Sequence, residues 1–292
     1  MGTTETSILL KLVVAPLGVA LLGWLFSYAI KHKTAWSAWL LAIFIAGAVG
    51  LSDQLLRGST DWWPVDVTRR LPWFVLGAAL LAGLTYLSGL GWKSLNIIGR
   101  LALSAFVSWQ MTVLAEPRWW WLAGTTALLF VSWMALSYPL PLTYSWLVIG
   151  TWAAIAGITG GVLVLSGSAS LGLVSVALGV ALGTLALLQI RWRHPAWQSL
   201  AGLFIIALFT LVLSGQQFAE LPISSGLLLL TPPWAVLLLH SQWLIKRPVF
   251  AAITVLVCAL LLTGGAAWLA KPVVVEKPAG ETSNPYADYY RK

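Results

Sequence analysis

Long apolar runs separated by short polar stretches dominate the chain between residues 8 and 270. In LVVAPLGVALLGWLF and AAITVLVCALLL nearly every position is apolar, rather than one helix face or every second residue. A helix needs about 20 mostly apolar residues to cross a bilayer, whereas a barrel strand needs about 10 with alternating polarity. The pattern therefore predicts membrane-spanning helices.

Ten segments have a suitable length and are bounded by charges, Gly/Pro turns or tryptophans. They cover residues 8–30, 35–52, 71–90, 97–115, 119–138, 143–166, 170–190, 198–216, 222–244 and 248–270. We predict an all-α integral membrane protein with about ten transmembrane helices and short loops. Residues 1–270 form its polytopic helical domain, and residues 271–292 form a polar tail. The leader MGTTETS has no basic residue, so we expect the first segment to stay as a spanning helix.

The basic residues of the short loops predict the orientation, because cytoplasmic loops are enriched in Lys and Arg. With ten crossings and the N-terminus outside, the outer loops hold four basic residues, Arg57, Arg69, Arg70 and Arg118. The cytoplasmic loops hold eight, namely Lys31, Lys33, Lys93, Arg100, Arg191, Arg193, Lys246 and Arg247. Both termini are therefore expected on the outer side. A plasma membrane, specifically a bacterial inner membrane, is the expected location.

The composition agrees with a membrane location. Only 9% of the 292 residues are charged and the mean hydropathy is +0.87, against about 25% charged residues in soluble domains. A net charge of +8 is distributed singly or in pairs between apolar segments, so we expect the lipid bilayer, and not nucleic acid, as partner. The run Trp119, Trp120 and Trp121 is interpreted as an interfacial anchor in preference to a stacking platform for a sugar or quinone.

The longest predicted outer loop, SDQLLRGSTDWWPVDVTRRLPW over residues 52–73, is rich in side chains that bind ligands. Its carboxylates, guanidinium groups and indoles suit an anionic lipid headgroup or a lipid-linked sugar. The candidate binding residues are Asp53, Arg57, Asp61, Trp62, Trp63, Asp66, Arg69 and Arg70. The favoured interpretation is structural: acids and arginines pair with each other, and Asp66 caps the helix that starts near Leu71.

Two of the predicted helices contain unusual residues: two consecutive prolines in one and a series of small residues in the other. The ninth has a candidate helix break at Thr231, Pro232 and Pro233, and broken helices build midplane sites in several transporter folds. A five-plus-five division of the ten helices is compatible with that idea, although ordinary packing is favoured. In the seventh, Gly172, Ser175, Gly179 and Gly183 predict a close helix contact, within one chain or between two.

The polar tail is a candidate partner-binding segment. It contains Tyr286, Tyr289 and Tyr290, although disordered segments are normally poor in aromatic residues. The single cysteine, Cys258, cannot form a disulfide or a cysteine-ligated metal site within the chain. The sequence has no nucleophile elbow, phosphate loop or metal-spaced histidines. We therefore expect no metal, no cofactor and no catalytic residue.

Three functions remain. The favoured one is a non-catalytic subunit or assembly partner of a membrane complex, because it requires no unobserved site. A secondary transporter or flippase of a neutral or lipid-like substrate is the first alternative, with a polar cavity lined by Thr231, Thr159 or Gln110. An enzyme for a lipid-linked substrate at the outer leaflet is the second, with Asp61 or Asp66 as base. Arg69 or Arg70 would then hold a phosphate.

Overall fold

The computed structural model describes residues 10–30, 34–58, 64, 66–87, 93–112, 118–137, 144–191, 196–241 and 247–270. Most of these residues are helical, and no strand occurs among them. The helices are α1 (a π-helical turn Leu10–Val14 and an α-helix Ala15–Ala29), α2 (Thr34–Arg57), α3 (Leu71–Leu87), α4 (Lys93–Met111), α5 (Arg118–Leu136), α6 (Ser145–Leu165), α7 (Ala169–Arg191), α8 (Ala196–Phe218), α9 (Ile223–Leu230) and α10 (Pro248–Leu269). A 3-10 turn, Val67–Arg70, precedes α3, and a 3-10 segment, Pro232–His240, follows α9.

Seven of these helices are long and apolar enough to cross a membrane: α1, α2, α5, α6, α7, α8 and α10. The other three differ for physical reasons. Helix α3 has 17 residues, α4 includes Lys93 and Arg100, and α9 stops before two prolines. The prediction of an all-α protein with several helices long and apolar enough to span a membrane is confirmed for the described residues. The count of ten crossings and the sides of the termini stay predictions.

Helix α8 lies at the centre of the bundle. Nearly all of its residues are buried, and it packs against α2, α3, α4, α5, α6, α7 and α9. A helix that is apolar on every side is stable when protein surrounds it on every side. Helices α1, α5 and α10 lie at the periphery and expose many large apolar side chains, as helices facing lipid do.

Helices α6 and α7 form a tight hairpin. Gly167, at φ +100°, ends α6 in a Schellman motif, with Ser168 N–H donating to the Leu163 carbonyl. Gly172 of α7 lies so close to Gly160 of α6 that a Cβ on either would collide with the other's carbonyl oxygen. The small-residue positions of α7 therefore face a helix of the same chain.

Two predicted boundaries are corrected. Helix α2 continues to Arg57 rather than ending near residue 52, so Asp53 and Arg57 belong to a helix and not to a loop. The reason is their i, i+4 spacing, which lets the two charges pair on one helix face. The ninth segment is not one continuous helix, because its α-helix ends at Leu230 and a 3-10 segment begins at Pro232.

Candidate functional site

Several polar residues of the predicted outer loop meet where α2 ends and α3 begins. Asp53 accepts a hydrogen bond from Nε of Arg57 and forms an ion pair with the same guanidinium. Each of these two side chains is only 7% exposed. An unpaired charge buried in this way would be strongly destabilising, and the pairing offsets part of the cost of burying the two charges.

The guanidinium of Arg57 also joins α2 to the turn before α3. Its Nη2 donates to the Thr68 carbonyl oxygen at 2.9 Å, and its Nη1 donates to Thr68 Oγ1 at 3.3 Å. Thr68 in turn donates from its N–H and its hydroxyl to Oδ1 of Asp66, at 2.9 and 2.8 Å. Asp66 is thus the N-cap of the turn Val67–Arg70, which leads directly into α3.

The other two arginines connect neighbouring segments. Arg69 donates to the carbonyl oxygen of Gly58 at 3.2 Å, and its Nε lies 4.0 Å from Oδ2 of Asp66 in a half-exposed contact. Arg70 donates from Nε to the Pro64 carbonyl oxygen at 2.8 Å and from Nη1 to Oε1 of Gln110 on α4. The arginines therefore hold this end of the bundle together.

A second amide strengthens the same end of the bundle. Nε2 of Gln217, in the last turn of α8, donates to the carbonyl oxygen of Met111, at the end of α4. The start of α3 and the ends of α2, α4 and α8 are thereby linked by polar contacts. In this arrangement the charged groups neutralise each other. Its two carboxylates, Asp53 and Asp66, already have donors, and its three arginines, Arg57, Arg69 and Arg70, already have acceptors.

Some of the predicted site residues lie outside the described part of the chain. These are Asp61, Trp62, Trp63, Tyr286, Tyr289 and Tyr290. Among the described residues, no group of three or more His, Cys, Asp or Glu side chains could hold a metal ion.

The residues suggested for a transport cavity lie in three different environments. Thr231 is exposed, and its hydroxyl donates to the Leu228 carbonyl oxygen at 2.9 Å. Thr159 is fully buried within α6, and Gln110 accepts from Arg70. No described contact joins these three side chains.

A cleft that the sequence did not reveal lies between α5, α8 and α9. Its volume is about 330 Å³, and its lining is almost entirely apolar. The lining residues are Trp120, Trp121, Gly124, Thr125, Leu128, Phe209, Leu213, Gln216, Ile223, Leu227 and Leu230. In the sequence, the sign of this cleft is the position of Gly124, one helical turn after Trp120 and Trp121 on α5.

The fold and these contacts define the class of protein: an all-α bundle with several helices apolar enough to span a membrane. Comparison of the sequence with known protein families gives no match, and comparison with curated proteins gives none either.

Proposed function

We propose that the protein is a non-catalytic multi-pass membrane protein that serves as a subunit or assembly partner of a membrane complex. The observation that carries this proposal is that Asp53, Arg57, Asp66 and Arg70 are all engaged by groups of the chain itself. An enzyme or an ion-coupled transporter uses such groups for its ligand, whereas here they join helix ends.

We further propose that all ten helical segments cross a plasma membrane, specifically a bacterial inner membrane, with both termini outside. The bond from Arg70 to Gln110 and the bond from Gln217 to Met111 support this topology. They link the start of α3 with the ends of α4 and α8. These three points share one side of the membrane if every helix from α3 to α8 crosses it.

The partner surface in this proposal is the outward face of α10 together with the tail that follows it. Ile253, Leu261 and Trp268 are exposed along α10, and the tail contributes Tyr286, Tyr289 and Tyr290. The small residues of α7 do not form this surface, because they pack against α6 of the same chain.

The test is native mass spectrometry of the full chain, extracted gently from its own membrane. A photo-crosslinking residue at Leu261, which is 71% exposed, is compared with one at Leu187 of α7, which is 70% exposed. We expect a stoichiometric protein partner that crosslinks at Leu261 and not at Leu187, and that is lost when residues 279–292 are deleted. A bare chain with equal lipid adducts at both positions would contradict the proposal.

The interruption of α9 favours a second candidate, a transporter or flippase of a lipid-like substrate. The α-helix stops at Leu230 and the chain continues as the 3-10 segment Pro232–His240, in the region where a broken helix would form a midplane site. Translocation of a fluorescent phospholipid in reconstituted vesicles tests this candidate. Movement above that of protein-free vesicles, abolished by Pro232→Ala with Pro233→Ala, would favour it over the first.

A further inference from the structure

The cleft between α5, α8 and α9 is a groove that opens sideways from the bundle. Phe209 and Leu213 of α8 are buried and form its floor, whereas Trp120, 78% exposed, and Leu227 lie at its edges. Along α5 it reaches from Trp120 to Leu128, which is about 12 Å of helix. An apolar groove on the side of a membrane bundle is open to hydrocarbon chains.

The break in α9 marks one end of this groove. Leu230, the last α-helical residue of α9, is a lining residue. The 3-10 segment that follows, Pro232–His240, packs against α5. The groove therefore ends where this segment meets α5, and its other end lies at the tryptophans.

Two polar groups lie at the tryptophan end. Gln216 is a lining residue; its amide lies against Gly226 of α9, and its side chain has no hydrogen-bond partner among the described residues. Arg118 is exposed and, within the described part of the chain, makes no hydrogen bond or ion pair. It shares a helix stripe with the lining residues Trp121 and Thr125, at i, i+3 and i+7. A cation without a polar contact to the described residues thus lies about one turn beyond an apolar groove.

We propose that this groove binds a long-chain amphiphile with an anionic headgroup. The chain lies along Phe209 and Leu213, and the headgroup is bound by Arg118 and the amide of Gln216. The indole rings of Trp120 and Trp121 lie at the boundary between headgroup and chain, where such rings are favoured. The proposal is independent of the proposed function, because lipid binding at this groove requires neither a protein partner nor transport.

Gly124 provides a variant that fills the groove. It is an exposed lining residue, and a Cβ added there meets no atom within 4 Å, so Gly124→Leu places its side chain in the groove without a backbone clash. Gly161 of α6 is the matched control. It is also exposed with open space around its Cβ, and it lies at a similar distance from the end of its helix.

The headgroup is tested separately with Arg118→Gln. The control is Arg191→Gln, which removes an exposed cation from the last residue of α7. Because Arg118 is exposed and makes no polar contact with the described residues, its replacement leaves the packing among them intact. The comparison of Arg118→Gln with Arg191→Gln therefore tests the proposal even if Gly124→Leu does not fold.

The experiment reconstitutes the full chain in nanodiscs of mixed phosphatidylcholine and phosphatidylglycerol and counts the retained lipids by native mass spectrometry. We expect the original chain and Gly161→Leu to retain one phosphatidylglycerol, and Gly124→Leu to lose it. Arg118→Gln should reduce the preference for phosphatidylglycerol about fivefold, with no change for Arg191→Gln. Equal retention by Gly124→Leu, no preference in the original chain, or a protein segment occupying the groove would each overturn the proposal.

Discussion

Gly202 of α8 lies directly against the indole ring of Trp133 of α5, so close that a Cβ at this position would overlap the ring. Trp133 is fully buried, and the guanidinium of Arg100 on α4 lies 5.3 Å from its ring centroid. Three helices thus meet at one tryptophan. Glycine is required here for space, because α8 is regular at this point and needs no special backbone conformation.

Gly202→Ala is expected to lower the free energy of unfolding by about 1–3 kcal/mol, because overpacking forces the indole or the helix to move. The control is Gly47→Ala on α2, where an added Cβ meets no atom within 4 Å and alanine improves helix propensity. Thermal unfolding in detergent, followed by tryptophan fluorescence, measures both variants. Equal melting temperatures would contradict the packing role of Gly202.

Arg57→Gln is expected to be strongly destabilising, by about 3–5 kcal/mol, because it leaves the carboxylate of Asp53 buried without its partner. The double variant Asp53→Asn with Arg57→Gln should recover part of that loss, since no charge then stays buried. A double-mutant cycle on unfolding free energies measures the coupling.

The half-exposed contact between Arg69 and Asp66 is the internal control for this pair. Arg69→Gln should cost no more than about 1 kcal/mol, because exposed ion pairs contribute little. Additive effects of the Asp53 and Arg57 variants would show that the buried ion pair does not stabilise this end of the bundle.

Gly172→Ala should destabilise the α6–α7 hairpin, whereas Gly183→Ala on the same helix should be tolerated. A Cβ at position 172 would press on the carbonyl oxygen of Gly160, a backbone atom that cannot rotate away. A Cβ at position 183 would meet only the Ala153 side chain, at an ordinary 3.8 Å. The two melting temperatures are compared directly, and a larger loss for Gly183→Ala would refute the hairpin geometry.

Single cysteines test the orientation in a Cys258→Ser background. With ten crossings and the N-terminus outside, Ser168→Cys between α6 and α7 lies outside, and Ser241→Cys after the 3-10 segment lies inside. A membrane-impermeant maleimide should therefore label position 168 in intact cells and position 241 only after permeabilisation. Labelling of both in intact cells would show that an even number of segments crosses between positions 168 and 241, which contradicts the ten crossings.

The positions of the helices could be predicted from the sequence because a bilayer imposes one requirement on every apolar segment. Without water, each backbone N–H and C=O must be satisfied inside the segment, and a helix does this. The interruption at Pro232 and Pro233 was equally predictable, since proline lacks the donor N–H. The capping role of Asp66 also followed from local order, because a cap acts on residues next to it in the chain.

Other features required the packed structure because they depend on residues distant in sequence. The sequence marked Gly172, Ser175, Gly179 and Gly183 as a contact surface, but only the fold shows that α6 is the neighbour. The central position of α8 was likewise hidden, because large apolar side chains such as leucine suit a face bordering lipid as well as one bordering protein. Which face meets protein depends on the fit between shapes, as between Gly202 and Trp133, and that fit arises only when the helices pack.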